Sequence, residues 1–213
     1  MVVKDNIRDL RLEINENIKL VAVSKTKSEA LILEAYEINQ RIFGENKVQE
    51  LVEKYNNLPK DIEWHMIGHL QTNKVKYIAK FVSLIHTVDS IKLIKEINKR
   101  AKNEKRVIDC LIQVHIAEEQ NKFGFNINEI DDIIKYSEAL HNVNIIGLMG
   151  MATFTKNIDI INKEFKVLHK KFKKNKTNNF NTLSMGMSND YQVAIQNGST
   201  MIRLGSTIFG KRN

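Results

Sequence analysis

Leu20-Val21-Ala22-Val23-Ser24-Lys25 is an apolar run of strand length that stops abruptly at a lysine. Unbroken Val, Leu and Ala without alternation is the pattern of a strand covered on both faces, as in a parallel sheet flanked by helices. Seven more runs of the same kind follow. The eight predicted strands are 19–24, 41–44, 63–68, 82–87, 107–115, 145–149, 182–185 and 201–204. Amphipathic stretches separate them. Residues 28–39 place Leu31, Ala35 and Ile38 on one helical face, with Ser28 positioned to cap the first turn. Asp89-Ser90 introduces another, carried by Ile91, Ile94, Ile97 and Ala101, and residues 128–140 form a third. Strand and helix alternating eight times predict an α/β fold, a (β/α)8 TIM barrel, preceded by an extra helix over residues 3–16. A doubly wound open sheet is the alternative. No Gly- or Ser-rich linker divides the chain and its sole proline is Pro59, so residues 1–213 read as a single, compact barrel domain.

Composition narrows the function classes. Hydrophobic residues make up 42% of the 213, a globular value. No apolar run approaches the roughly 18 residues of a membrane-spanning helix, and the first residues lack the apolar core of a signal peptide, so a cytoplasmic location is expected. Cys110 is the single cysteine and sits in an apolar strand run, which predicts an inert core thiol and neither a disulfide nor a cysteine metal cluster. The net charge of +8 invites a nucleic-acid reading. Its distribution opposes one. In the lysine-rich stretch around residues 161–174, Ile161, Phe165, Leu168 and Phe172 recur at helical spacing, so the lysines fill the solvent face of an amphipathic helix.

In such a barrel the site lies at the C-terminal strand ends. Lys25 follows the first strand, where desolvation favours a nucleophilic amine toward aldehydes. Gly44-Glu45-Asn46 follows the second, His65 to His69 the third, and Met149-Gly150-Met151 the sixth. Gly186-Met187-Ser188 leads into a short helical stretch at 190–196 with Ser188 as its expected N-cap, and Gly205-Ser206 follows the eighth strand. The loops after strands seven and eight commonly hold phosphate in this fold, using helix N-termini and glycines that let backbone approach a ligand. Arg203 interrupts an apolar strand, which requires a partner and points it at the barrel mouth. A phosphate site, a reactive lysine and a partner for a ring nitrogen together describe pyridoxal 5′-phosphate (PLP). His65 and His69 do not form a zinc motif, because the Glu of HExxH is absent, and no GxSxG elbow is present. No metal site is expected.

The chain resembles the pyridoxal phosphate homeostasis proteins, small relatives of the N-terminal barrel of alanine racemase. The matching motifs are Ala22-Val23-Ser24-Lys25-Thr26-Lys27, Phe43-Gly44-Glu45-Asn46-Lys47-Val48-Gln49-Glu50 and Trp64-His65-Met66-Ile67-Gly68-His69-Leu70-Gln71-Thr72-Asn73-Lys74. They continue in order with Gly147-Leu148-Met149, Leu183-Ser184-Met185-Gly186-Met187-Ser188 and Arg203-Leu204-Gly205-Ser206-Thr207-Ile208-Phe209-Gly210. The resemblance implies a fold-type III PLP barrel with Lys25 as the Schiff-base lysine. It implies that Ser188, Gly205 and Ser206 hold the phosphate, that Arg203 lies near the pyridine nitrogen, and that Asn46 lies near the ring. Two positions depart from the family: Ser206 stands where Thr is usual, retaining the hydroxyl, and His69 where Pro is frequent. The expected function is buffering or delivery of PLP within the cell, with little or no catalysis. A PLP-dependent amino-acid racemase-like enzyme is the alternative. The sequence stops three residues past Gly210, without the β-rich domain that racemases add, which favours holding PLP over turnover. Expected partners are PLP and PLP-requiring apoenzymes, with neither nucleic acid nor membrane, and the expected state is a monomer or weak dimer.

Overall fold

The computed structural model describes residues 2–118 and 123–210. Eight strands, β1 (Lys19–Val23), β2 (Ile42–Glu45), β3 (Glu63–Met66), β4 (Leu84–Val88), β5 (Ile108–Val114), β6 (Val143–Gly150), β7 (Thr182–Ser184) and β8 (Met201–Leu204), form a closed barrel in chain order. Neighbours pair in parallel throughout, and β8 returns to β1 with Lys19 opposite Met201 and Ala22 opposite Leu204. Each predicted strand is present, with ends displaced by at most two residues. The closed barrel replaces the open-sheet alternative.

Helices α1 (Val2–Glu13), α2 (Glu29–Tyr36), α3 (Val48–Asn57), α4 (Val75–Ile78), α5 (Ile91–Asn103), α6 (Ile130–Ser137), α7 (Ile158–Asn175), α8 (Tyr191–Gln196) and α9 (Ser206–Phe209) occupy the connections. The leading helix stops earlier than its periodicity predicts, where Asn15 Oδ1 accepts from the Asn17 N–H in a local turn that competes with the helix. Ser28 occupies the N-cap of α2 but makes no capping bond. Ser90 does cap α5, its side chain accepting from the Leu93 N–H. On α7 the buried residues include Ile161, Phe165, Leu168 and Phe172, so the lysine-rich stretch is an outer helix as its spacing requires.

Two apolar clusters hold the architecture. The larger packs helix faces such as Ile7, Ile32, Leu51, Ile94 and Phe165 against outward strand residues such as Phe43, Trp64, Ile112 and Leu183. The smaller comprises strand residues, Val21, Leu84, Leu111, Met149 and Met201, and fills the barrel interior. Cys110 is fully buried, and its apolar surroundings push the thiol well above its ordinary range. Strand side chains alternate, so moving two residues toward the C-terminal ends keeps the same face. That step converts Leu84, Leu111 and Met201 into His86, Gln113 and Arg203, all buried. The interior is therefore apolar at its base and polar beneath its mouth. Register shifts once between β5 and β6, where Cys110 faces Ile145 but Leu111 faces Gly147. Only glycine fits there, because a Cβ at 147 would lie 1.7 Å from the Thr182 carbonyl oxygen.

Candidate functional site

A cavity of about 450 Å³ opens at the C-terminal ends of the strands. Lys25, Asn46, Ser188, Arg203, Gly205 and Ser206 all line it. The fold thus brings together every residue the sequence nominated, from the exits of β1, β2, β7 and β8. Lys27, Thr153 and Asp190 line it as well. Sequence reasoning gave these three no role. Lys27 stood two residues from Lys25, and Thr153 lay in the loop after the glycine-ended β6, so position alone could have drawn notice to both.

Lys25 is presented by a tight turn in which the Lys27 N–H donates to the Ser24 carbonyl at 3.0 Å. Thr26 sits in the left-handed region at φ 63°. That conformation is costly for a β-branched residue and persists where surroundings enforce it. The enforcing group is a polar cluster beneath the turn. Glu50 Oε1 accepts from the Thr26 N–H at 2.6 Å and from Lys54 Nζ at 2.7 Å. Lys54 Nζ also donates to the Ser24 carbonyl and to Glu45 Oε1, both at 2.8 Å, and the Ser24 hydroxyl donates to Glu45 Oε1 at 2.6 Å. Glu45 is fully buried, and its Oε2 has no hydrogen-bond partner among the described residues. Burial raises this carboxyl above its ordinary value despite the bonds from Lys54 and Ser24. On the neighbouring wall, Gly68 packs against Asn46 so closely that a Cβ would lie 2.3 Å from the Asn46 carbonyl oxygen.

Ser188 departs from its expected position. Asp190 is the N-cap of α8, and its carboxylate accepts from the Met187 N–H at 2.6 Å. Gly186, at φ 100°, turns the chain after β7. Ser188 is directed instead at the neighbouring loop, its Oγ accepting from the N–H groups of Gly205 and Thr207, each at 3.3 Å. The loops after β7 and β8 are thereby tied through a hydroxyl and two backbone donors. Lys27 Nζ donates to the Phe209 and Gly210 carbonyls and anchors the end of α9. A Cβ at Gly205 would meet only ordinary contacts, the nearest at 3.4 Å from the Val23 carbonyl oxygen.

Arg203 is buried and donates to the Ser184 carbonyl at 3.0 Å, to Ser184 Oγ at 2.6 Å and to the Gly150 carbonyl at 3.2 Å. All three acceptors are neutral. Burial lowers its pKa to about 10, which leaves the guanidinium charged at neutral pH. The two histidines of the third strand region separate. His65 is buried inside the barrel with its Nδ1 3.0 Å from His86 Nε2. His69 lies outside, 3.0 Å from Asp89 and stacked on Phe123 at 3.9 Å. Among the described residues no three His, Cys, Asp or Glu side chains group as a metal site. Among them, too, no helix is long and apolar enough to cross a membrane.

Comparison with known proteins agrees with this geometry. The family model described as "Alanine racemase, N-terminal domain" matches residues 2–213. The pyridoxal phosphate homeostasis protein of Aquifex aeolicus is 39% identical over 199 residues, covering 91% of this chain and 87% of that protein. The solved structure of PipY from Synechococcus elongatus without PLP superposes with a TM-score of 0.91 at 32% identity, covering 98% of this chain and all of that one. A second structure of the same protein, with PLP bound, gives 0.86 at 30% identity over the same shares.

Proposed function

The chain belongs to the alanine racemase N-terminal domain family, and among its relatives are pyridoxal phosphate homeostasis proteins; on that premise we propose that it binds PLP and serves intracellular PLP homeostasis, with little or no catalysis. One observation carries the reading: an amine, a buried guanidinium and a hydroxyl-and-backbone loop pair converge on a single cavity of about 450 Å³. Their chemistry suits the cofactor. When bound, PLP supplies an aldehyde that condenses reversibly with amines, and a phosphate that needs hydrogen-bond donors.

Each residue then has a task. Lys25 would hold the ligand through its Nζ, on a turn that the Glu45–Lys54–Glu50 cluster keeps from relaxing. Ser188, Gly205 and Ser206 would receive the phosphate, with hydroxyl and backbone N–H groups as its donors. Asn46 bounds the ring. Arg203 would lie near the ring nitrogen, and because it keeps its own proton it would not hand one over. An unprotonated ring is a poor electron sink, which favours storage over turnover. We place the protein in the cytoplasm as a monomer or weak dimer that supplies PLP-requiring apoenzymes.

The test is direct. Purified protein loaded with PLP shows a visible absorption band, borohydride fixes the label to Lys25 in peptide maps, and Lys25→Ala loses both. A band that survives this substitution removes Lys25 from its role. Racemisation of alanine at ordinary enzyme rates, about 1–10³ per second, would replace storage by the racemase-like alternative.

A further inference from the structure

Four polar side chains from four strands stand in line across the barrel interior. Arg203 of β8 lies 2.6 Å from Ser184 Oγ of β7, that oxygen lies 3.1 Å from His86 Nδ1 of β4, and His86 Nε2 lies 3.0 Å from His65 Nδ1 of β3. All four are buried. One arrangement of hydrogens satisfies every group along the line. A guanidinium has donors only, so Ser184 Oγ accepts from it. Among the described residues the Ser184 hydroxyl has no acceptor other than His86 Nδ1, so the arrangement that satisfies it sends its own hydrogen there. That nitrogen therefore carries no proton, His86 is the Nε2–H tautomer, and it donates in turn to His65 Nδ1. The line runs one way, from Arg203 to Ser184 to His86 to His65, and both imidazoles must be neutral for it to close. Burial, reinforced for His86 by His65 and Arg203, pushes His86 well below its ordinary range, and burial holds His65 near 3.

We infer that this line is a built relay in which His86, backed by His65, is a positioning residue: it fixes the hydroxyl of Ser184 and through it aims Arg203 into the cofactor cavity. The inference rests on the reading of that cavity as the PLP site. Without an acceptor at His86 the serine hydrogen has no assigned partner, the Ser184 side chain loses the contact that holds its rotamer, and its Oγ can swing away from Arg203. The remaining N–H groups of Arg203, which lines the cavity, then no longer meet a ligand in one orientation.

Two measurements test this. Long-range ¹H–¹⁵N correlation spectra of ligand-free protein report imidazole tautomers without any cofactor. The expected result is a neutral Nε2–H form for both His86 and His65, with Ser184→Ala turning His86 into a tautomer mixture. A charged or Nδ1–H His86 overturns the relay. Titration with PLP then tests the positioning. Ser184→Ala and His86→Leu should each weaken binding about twofold to tenfold, the worth of one ordinary hydrogen bond. His86→Gln, which keeps an acceptor and a donor, should restore most of the loss. Wild-type affinity in both Ser184→Ala and His86→Leu overturns the positioning role. If His86→Leu fails to fold, Ser184→Ala decides alone. Failure of the wild type to bind PLP would instead overturn the reading of the cavity, and the tautomers would still decide the relay.

Discussion

Replacing Lys54 by Met tests the cluster that braces the Lys25 turn. Lys54 Nζ has three acceptors within 2.8 Å, and its side chain is 6% exposed against 0% for that of Glu45. Removing one partner of a buried pair while leaving the other charge costs about 3–5 kcal/mol. That is a large share of a stability of about 5–15 kcal/mol. Glu50 is partly exposed and can solvate, so the cost falls mainly on Glu45. The sign of the pH dependence follows. Glu45 already has a folded-state pKa above the 4.5 of an ordinary glutamate, and losing Lys54 raises it further. A raised carboxyl binds its proton more tightly folded than unfolded, so its penalty is absent below the unfolded value and grows as pH climbs through the folded one. Urea unfolding followed by circular dichroism at pH 7.5 and pH 5 should show the deficit of Lys54→Met shrink on acidification at constant m. Glu45→Gln combined with Lys54→Met should recover most of it, since no charge is left buried. A loss under about 1 kcal/mol at pH 7.5, far below the buried-pair figure, would show that the cluster does not brace the turn.

Three further outcomes are expected. Ser188→Ala removes the acceptor of two backbone N–H groups and a candidate phosphate contact, and should weaken PLP about tenfold to a hundredfold by titration, the worth of a bond to a charged group; unchanged affinity places the phosphate elsewhere. Gly186→Ala forces a side chain into φ 100° with its Cβ 2.7 Å from that of Ala194, and should cost about 1–3 kcal/mol from the backbone alone in urea unfolding; a neutral result would refute the conformation of that loop. His65 and His86 have depressed folded-state values, so their neutral forms stabilise the fold above pH 6.5 and that stability is lost as pH falls, approaching about 1.4 kcal/mol per pH unit for each. The urea midpoint should fall between pH 7 and pH 5, with Glu45 acting in the opposite direction; a flat profile in Glu45→Gln protein would deny that either imidazole is buried neutral.

The barrel was legible because its strands are covered on both faces and read as unbroken apolar runs, each bounded by a turn residue. The candidate site was legible because polar and glycine residues collect where those runs stop. Lys25, Asn46, Arg203, Gly205 and Ser206 all fall at or near a strand end, and all six nominated residues line one cavity. What escaped is whatever depends on contacts between distant strands. Ser188 read as the cap of its own helix, since local spacing cannot show that Gly205 and Thr207 offer it nearer donors. Glu45 and Lys54 stand nine residues apart on different elements, and only the fold buries them together. His65 and His69 lie four residues apart, yet one is buried beside His86 and the other exposed beside Asp89, a split set by where β3 ends rather than by residue type.

Lys25 follows β1, whereas Arg203, Gly205 and Ser206 belong to β8 and its exit, and these two strands form the seam that closes the barrel. A chain leaving the ribosome presents the amine early and the opposite wall of the pocket last. The pocket comes into being only when the seam is sewn. A ligand that grips both sides favours the sewn state over every partly folded one, by about 2.7 kcal/mol when its concentration is a hundred times its dissociation constant. Binding across the seam would then add to the stability of the closed barrel as well as fill its pocket.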